Sequence, residues 1–311
     1  MKVLVATDGS ANADSALDSI IEMPWPADTQ FRVVSIVESL HAKLDALFIG
    51  GLGEMSRKAQ TAYSADLKNV LAESKAKLAA KYGQDAVSSE FLDGEPSEQI
   101  ISVGRTWGAD LIVLGGHNSS ADGWYGCVRG VATHAPCSIQ IVHHDSSGSL
   151  VKKEANHESP DITRLLLSIS TPADAELIAA TVLNRTWPDQ SRVQVLTVVA
   201  PFHENTRFAQ TKDWQDVAEK VETAAKEQAE QLVATTAKKL EEKFGVKNVT
   251  YHVLQGNARS LILQVAQDWG SDLILMGAHS KDKTLLERLL GSTAASIVLN
   301  TPCSVELVKQ K

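Results

Sequence analysis

Cysteine is scarce. The chain has 311 residues and three cysteines, Cys127, Cys137 and Cys303. Three cysteines build no disulfide framework, and no CxxC pair points to zinc. Long hydrophobic runs are missing too, and no apolar stretch reaches the length of a membrane helix. The opening segment, MKVLVATDGS, is a strand followed by a turn. It lacks the apolar core of a secretion signal, and the expectation is a cytoplasmic protein. Positive charge is short as well: 30 Lys+Arg stand against 38 Asp+Glu, for a formal charge of −8. The deficit is uneven. Residues 1–150 carry 11 basic against 18 acidic residues, and residues 151–311 carry 19 against 20. Without a basic stripe the chain is not expected to bind nucleic acid.

What is present is a duplication. Trp25-Pro26 returns as Trp187-Pro188, Leu92 as Leu254, Gly94 as Gly256, Trp107-Gly108 as Trp269-Gly270, Gly115 as Gly277 and His117 as His279, each pair 162 residues apart. Beyond that glycine the offset becomes 166, because Pro136-Cys137 matches Pro302-Cys303. The second copy therefore carries four extra residues in one loop. Two unrelated α/β segments would not hold a constant offset over most of a domain.

Each copy alternates strands with helical patterns. In the first, Val3-Leu4-Val5 precedes Ala13, Ala16, Leu17, Ile20 and Ile21 at helical spacing. Strands are expected over 31–37, 87–92, 111–114 and 138–142, and helices over 56–82 and 97–107. The second copy gives strands at 165–169, 193–199, 249–254 and 273–276, and helices over 212–244 and 260–269. Its first helix is expected to have Thr171 as N-cap and Pro172 at the first helical position. This pattern predicts an α/β fold of two tandem open-sheet domains, each a parallel five-stranded sheet with helices on both faces. The boundaries are 1–145 and 162–311, joined by a polar linker over 146–161. The alternating last strands, 138–142 and 304–308, need cover or a partner, and an internal pseudo-dimer through them would supply it.

The strand-Asp-Gly-Ser start VLVATDGS, together with the blocks ADLIVLGGH…HAPCSIQIV and SDLILMGAHS…GSTAASIVLNTPCSVELV, resembles the universal stress protein family in a tandem two-domain form. The resemblance covers the chain apart from the linker and a Glu38–Glu54 insertion. It implies a regulatory or protective role in stress response, and a family in which some members bind ATP or AMP and others bind no nucleotide. It also implies dimers paired through the last strand, so a homodimer is one expectation. In nucleotide-binding members an acid after strand one lies near the ribose and phosphates. A strand-two residue backs the adenine, and a glycine-rich loop ending in Gly-Ser/Thr holds the phosphates.

Carried onto this sequence, neither copy is complete. Domain 2 keeps Gly277, Gly291, Ser292 and Thr293, has Val198 at the adenine position, and places His279 in the loop. Ser280 replaces the second glycine, the spacer is ten residues, and Ser170 stands where the acid belongs. Domain 1 keeps Asp8, Ile36, Gly115 and Gly126. Its loop has Asn118 for the second glycine, a spacer of seven, Trp124-Tyr125 at the turn and Cys127 in place of serine. Glycines that let amides approach phosphate oxygens, with a helix start beside them, make an anion cradle. Adenine-nucleotide binding is therefore expected first in domain 2 and more weakly in domain 1. The ligand would be ATP, with Mg²⁺, or AMP. The alternative is an interaction scaffold with degenerate sites and an unknown protein partner.

Other readings stay open beside these. Asp8 equally suits a cap for the helix starting near Asn12, and Ser292 and Thr293 suit caps for the last helix. Cys127, at a loop-to-helix start, suits a lowered thiol pKa and a redox role, or an inert core position. No triad or metal set surrounds any candidate, so turnover beyond slow ATP hydrolysis is not expected.

Overall fold

In the computed structural model, described over residues 1–38, 53–116, 124–143, 163–202, 212–278 and 290–310, the alternation read from the sequence becomes five parallel strands in each of two units. The linker, His117, Asn118, His279, Ser280 and most of the Glu38–Glu54 insertion lie outside the described residues. So do the side chains of Trp124 and Tyr125.

The first compact unit contains β1 (Lys2–Ala6), α1 (Ala11–Glu22), β2 (Gln30–Val37), α2 (Gly53–Tyr82) and β3 (Val87–Asp93). It continues with α3 (Pro96–Trp107), β4 (Leu111–Gly115), α4 (Trp124–His134) and β5 (Ser138–Val142). Its strands pair in the order β3-β2-β1-β4-β5, all parallel. Val3, Val5, Val33 and Val113 share one core cluster with Leu17 and Ile20 of α1 and Leu71 and Leu78 of α2. Neighbouring strand residues point the other way. Ile112 accordingly meets α3, so closely that a Cβ on Gly104 would sit 3.0 Å from its Cδ1. Helices thus cover both faces.

The second unit repeats the plan with β6 (Arg164–Ser168), α5 (Pro172–Leu183), β7 (Arg192–Val199), α6 (Lys212–Phe244) and β8 (Val249–Gln255). Then come α7 (Ala258–Trp269), β9 (Leu273–Gly277), α8 (Ser292–Asn300) and β10 (Ser304–Val308). The order β8-β7-β6-β9-β10 is again all parallel. Thr171 is the N-cap of α5 and Pro172 its first residue, as the pattern predicts.

The duplication extends to individual hydrogen bonds. Trp25 Nε1 donates to the Ile20 carbonyl and Trp187 Nε1 to that of Val182, at 2.9 and 2.8 Å. The Trp-Pro motif is thereby explained: the indole ties the end of the first helix to the following loop. Asp110 and Asp272 each accept the backbone amide of the residue that opens the first strand, Lys2 and Arg164, at 2.7 Å. Gly108 and Gly270 both close a helix with φ +72°, a conformation that costs glycine little.

The last strand of unit 2 departs from the duplicate. Glu306 is fully buried and makes a bidentate ion pair with Arg185, at 2.5 and 2.6 Å. The matching positions in unit 1 are Met23 and Gln140, so the pair belongs to one copy alone.

Candidate functional site

In both sheets the strand order reverses beside the first strand: β1 leads outward to β2, while β4 lies on its other side. Crevices form at the carboxyl ends of strands flanking such a reversal. In unit 1 this places the site at the ends of β1 and β4, and in unit 2 at the ends of β6 and β9.

In unit 1, Asp8 is half-buried and its Oδ1 accepts the Ser10 amide at 3.0 Å. It does not cap α1. Ser10 is the N-cap, with Oγ accepting the Ala13 amide at 3.2 Å. Asp8 is two residues too early for that role, because Gly9 turns the chain with φ +76° before the helix begins. Ile36 lies in β2 opposite Leu92 of β3. Gly115 ends β4 against the first turn of α1, where a Cβ would fall 2.4 Å from the carbonyl carbon and oxygen of Asn12. Close packing of helix on strand therefore requires this glycine. Gly126 is the third residue of α4 and faces open space.

Cys127 follows within α4. Burial pushes its thiol up to about 12, and the negative charges of Glu95 and Asp8 add to the effect. Of the two readings of Cys127, this favours the inert core position over a lowered thiol pKa: a helix start favours thiolate only where solvent or cations can share the charge. Glu95 is pulled upward by burial, but the Ser97 hydroxyl and the amides of Glu98 and Ser97 donate to it and hold it below the usual range. Tyr63, half exposed above the same region, is raised by burial and by Asp8.

In unit 2, Val198 lies in β7 opposite Leu254. This is the register of Ile36 and Leu92, so the two predicted adenine-side residues occupy matching places. Gly277 ends β9. The Ala278 amide donates to the Val308 carbonyl, and the Ala278 carbonyl accepts the Gly291 amide, both at 3.2 Å. The strand end and the start of α8 are therefore tied together, which brings Gly277 beside Gly291, Ser292 and Thr293.

Gly291 is the N-cap of α8 and carries no side-chain capping bond; Ser292 and Thr293 are the first two helical residues rather than caps. Among the described residues, no side chain caps the first-turn amides of α8. By contrast, α1, α3, α5 and α7 are capped by Ser10, Glu95, Thr171 and Asn257. Uncapped first-turn amides with the helix dipole behind them favour an anion.

One residue of this site escapes sequence reasoning. Ser170 donates through Oγ to Asp174 Oδ2 at 2.8 Å. The other oxygen, Oδ1, lies over Gly277, 2.7 Å from where a Cβ would stand. The pattern Thr171-x-x-Asp174 was the available signal, since an acid three residues after an N-cap folds back over the turn.

Comparison with known proteins identifies the family. The profile described as the Universal stress protein family matches residues 1–143 and 163–309. The chain belongs to the universal stress protein family. Universal stress protein A homolog 2 of Coxiella burnetii is 39% identical over 56 residues, which span 18% of this chain and 37% of that protein. The chain thus aligns with little more than a third of that relative's length. A universal stress protein structure from Archaeoglobus fulgidus superposes with a TM-score of 0.59 at 17% identity, covering 99% of this chain and 96% of that one. A Pseudomonas aeruginosa protein described as functionally unknown does so at 0.54 and 13%, covering 99% and 92%. At these identities the likeness concerns the fold. Among the described residues, no helix is long and apolar enough to cross a membrane, and no group of three or more His, Cys, Asp or Glu side chains is placed to hold a metal ion.

Proposed function

We propose that this universal stress protein is an adenine-nucleotide-binding regulator or sensor, with its site in unit 2 at the ends of β6 and β9. The observation that carries this reading is the start of α8 at Gly291, which no side chain among the described residues caps, held against the end of β9. Phosphate oxygens would meet the amides of Ser292 and Thr293, and their hydroxyls would add donors. Val198 would back the base, and Mg²⁺ would accompany a triphosphate. The reading assigns binding, not turnover.

Unit 1 favours the second reading, that of a scaffold. There the helix starts at Trp124, two residues before the glycine, and Asn12 closes on Gly115.

The test is thermal melting of nucleotide-stripped protein with millimolar ATP and Mg²⁺. Ligand at 100 times its dissociation constant adds roughly 2.7 kcal/mol, which raises the midpoint by about 5–11 °C for a domain of this size. The rise is expected with ATP, not with GTP, and not in Gly291→Val, whose side chain would shield the amides. No rise with stripped protein would favour the scaffold.

A further inference from the structure

We infer that Asp174 is the residue that recognises the sugar hydroxyls of a ligand held in unit 2, in place of the acid that Ser170 has lost. The inference rests on the nucleotide reading above and adds a residue and a selectivity to it.

Three observations carry it. First, the two copies exchange chemistry across one turn. Unit 1 has Asp8 at the end of β1 and Asn12 in the first helical turn, while unit 2 has Ser170 and Asp174 at those positions. Over the matched spans 8–12 and 170–174 each copy holds one carboxylate, shifted by four residues. Second, the shifted carboxylate is oriented by its neighbours. Its amide donates to Thr171 Oγ1 at 3.1 Å, and its Oδ2 accepts from Ser170 Oγ at 2.8 Å. Ser170 thus steers the acid that replaces it. Third, Oδ1 takes no hydrogen bond from Ser170 and sits over Gly277. In unit 1 the backbone of Asn12 fills the equivalent space over Gly115. In unit 2 the helix begins one residue earlier in the repeat, at Pro172 rather than at the match of Ala11, and a side-chain acceptor occupies that space instead.

The chemistry selects the ligand group. A half-buried carboxylate repels phosphate and accepts from hydroxyl donors. With the phosphates drawn to the α8 amides, the group left for Asp174 is the diol of the sugar. A hydroxyl bonded to an ionised acceptor contributes about tenfold or more to affinity.

The experiment is titration of the full-length protein with ATP, 2′,3′-dideoxy-ATP and inorganic triphosphate. Wild type is expected to prefer ATP over the dideoxy analogue by about tenfold or more. Asp174→Ala should lose that preference and keep its affinity for triphosphate. Asp174→Asn retains one oxygen for Ser170 and the same shape, and serves if the alanine variant does not fold. It too should lose the preference, because an amide nitrogen at Oδ1 cannot accept. A folded variant that still discriminates, or one that weakens triphosphate equally, would overturn the assignment of Asp174. Loss of discrimination only in the presence of Mg²⁺ would also overturn it, because the acid would then act through the cation. Wild type that binds neither ATP nor triphosphate would overturn the nucleotide reading itself, a distinct result.

Discussion

Arg185 and Glu306 illustrate how much a single pair of residues carries. Both side chains are buried, at 6% and 0% exposure, and each satisfies the other's charge. Removing one partner leaves an unpaired charge in an apolar interior, so Arg185→Met should cost about 3–5 kcal/mol in urea denaturation. Because Met23 and Gln140 serve at these places in unit 1, the double variant Arg185→Met/Glu306→Gln should recover most of that loss. Cys127 gives a pH-dependent counterpart. Its pKa is raised from 9.0 to about 12, so the folded state holds the neutral thiol. The stability this contributes is intact below about pH 9 and is lost as pH climbs toward about 12. Near neutral pH the native thiol should react with alkylating reagents no faster than buried Cys137 and Cys303. Rapid labelling of Cys127 alone in the folded protein would contradict this.

Elements separate glycines that look alike in sequence. Gly115 and Gly126 both fall in the late block, yet the structure asks different things of them. A methyl group on Gly115 meets the α1 backbone at 2.4 Å, and neither partner is a side-chain end that can swing aside. Gly115→Ala should therefore destabilise unit 1 by about 1–3 kcal/mol in denaturant titration, the usual cost of overpacking. Gly126 sits in α4 with open space around it, so Gly126→Ala should be neutral or stabilise by up to about 1 kcal/mol through helix propensity. The long helices are anchored at their ends. Lys243 of α6 donates to the carbonyls of Leu183, the last residue of α5, and of Arg185 just beyond it, while Lys81 and Tyr82 of α2 do the same for Ile21 and Ile20 of α1. Cations at exposed helix carbonyls satisfy acceptors that the helix cannot.

The whole molecule is a duplication in which the two copies have diverged at the same end of their sheets. Unit 1 keeps its acid but closes the space over the β4 glycine with backbone. In unit 2 no side chain among the described residues caps the start of the last helix, and the acid stands four residues further along, at Asp174. The expected consequence is one nucleotide per chain rather than two, measurable by equilibrium dialysis with labelled ATP. A stoichiometry of two would return Asp8, Ile36, Gly115 and Gly126 to the list of ligand contacts. The sequence by itself determined the duplication, the strand-helix alternation and the ends of most elements. Apolar periodicity and capping residues are local signals, and two copies report them twice. It also placed Gly277 and Gly291 near each other, because the repeat brackets one loop. Only the tertiary structure decided what surrounds each candidate. Whether Asp8 caps a helix, whether Cys127 is acidic, and where Asp174 points depend on how closely a helix approaches a strand. That distance is set by packing between segments far apart in the chain, and no local pattern encodes it.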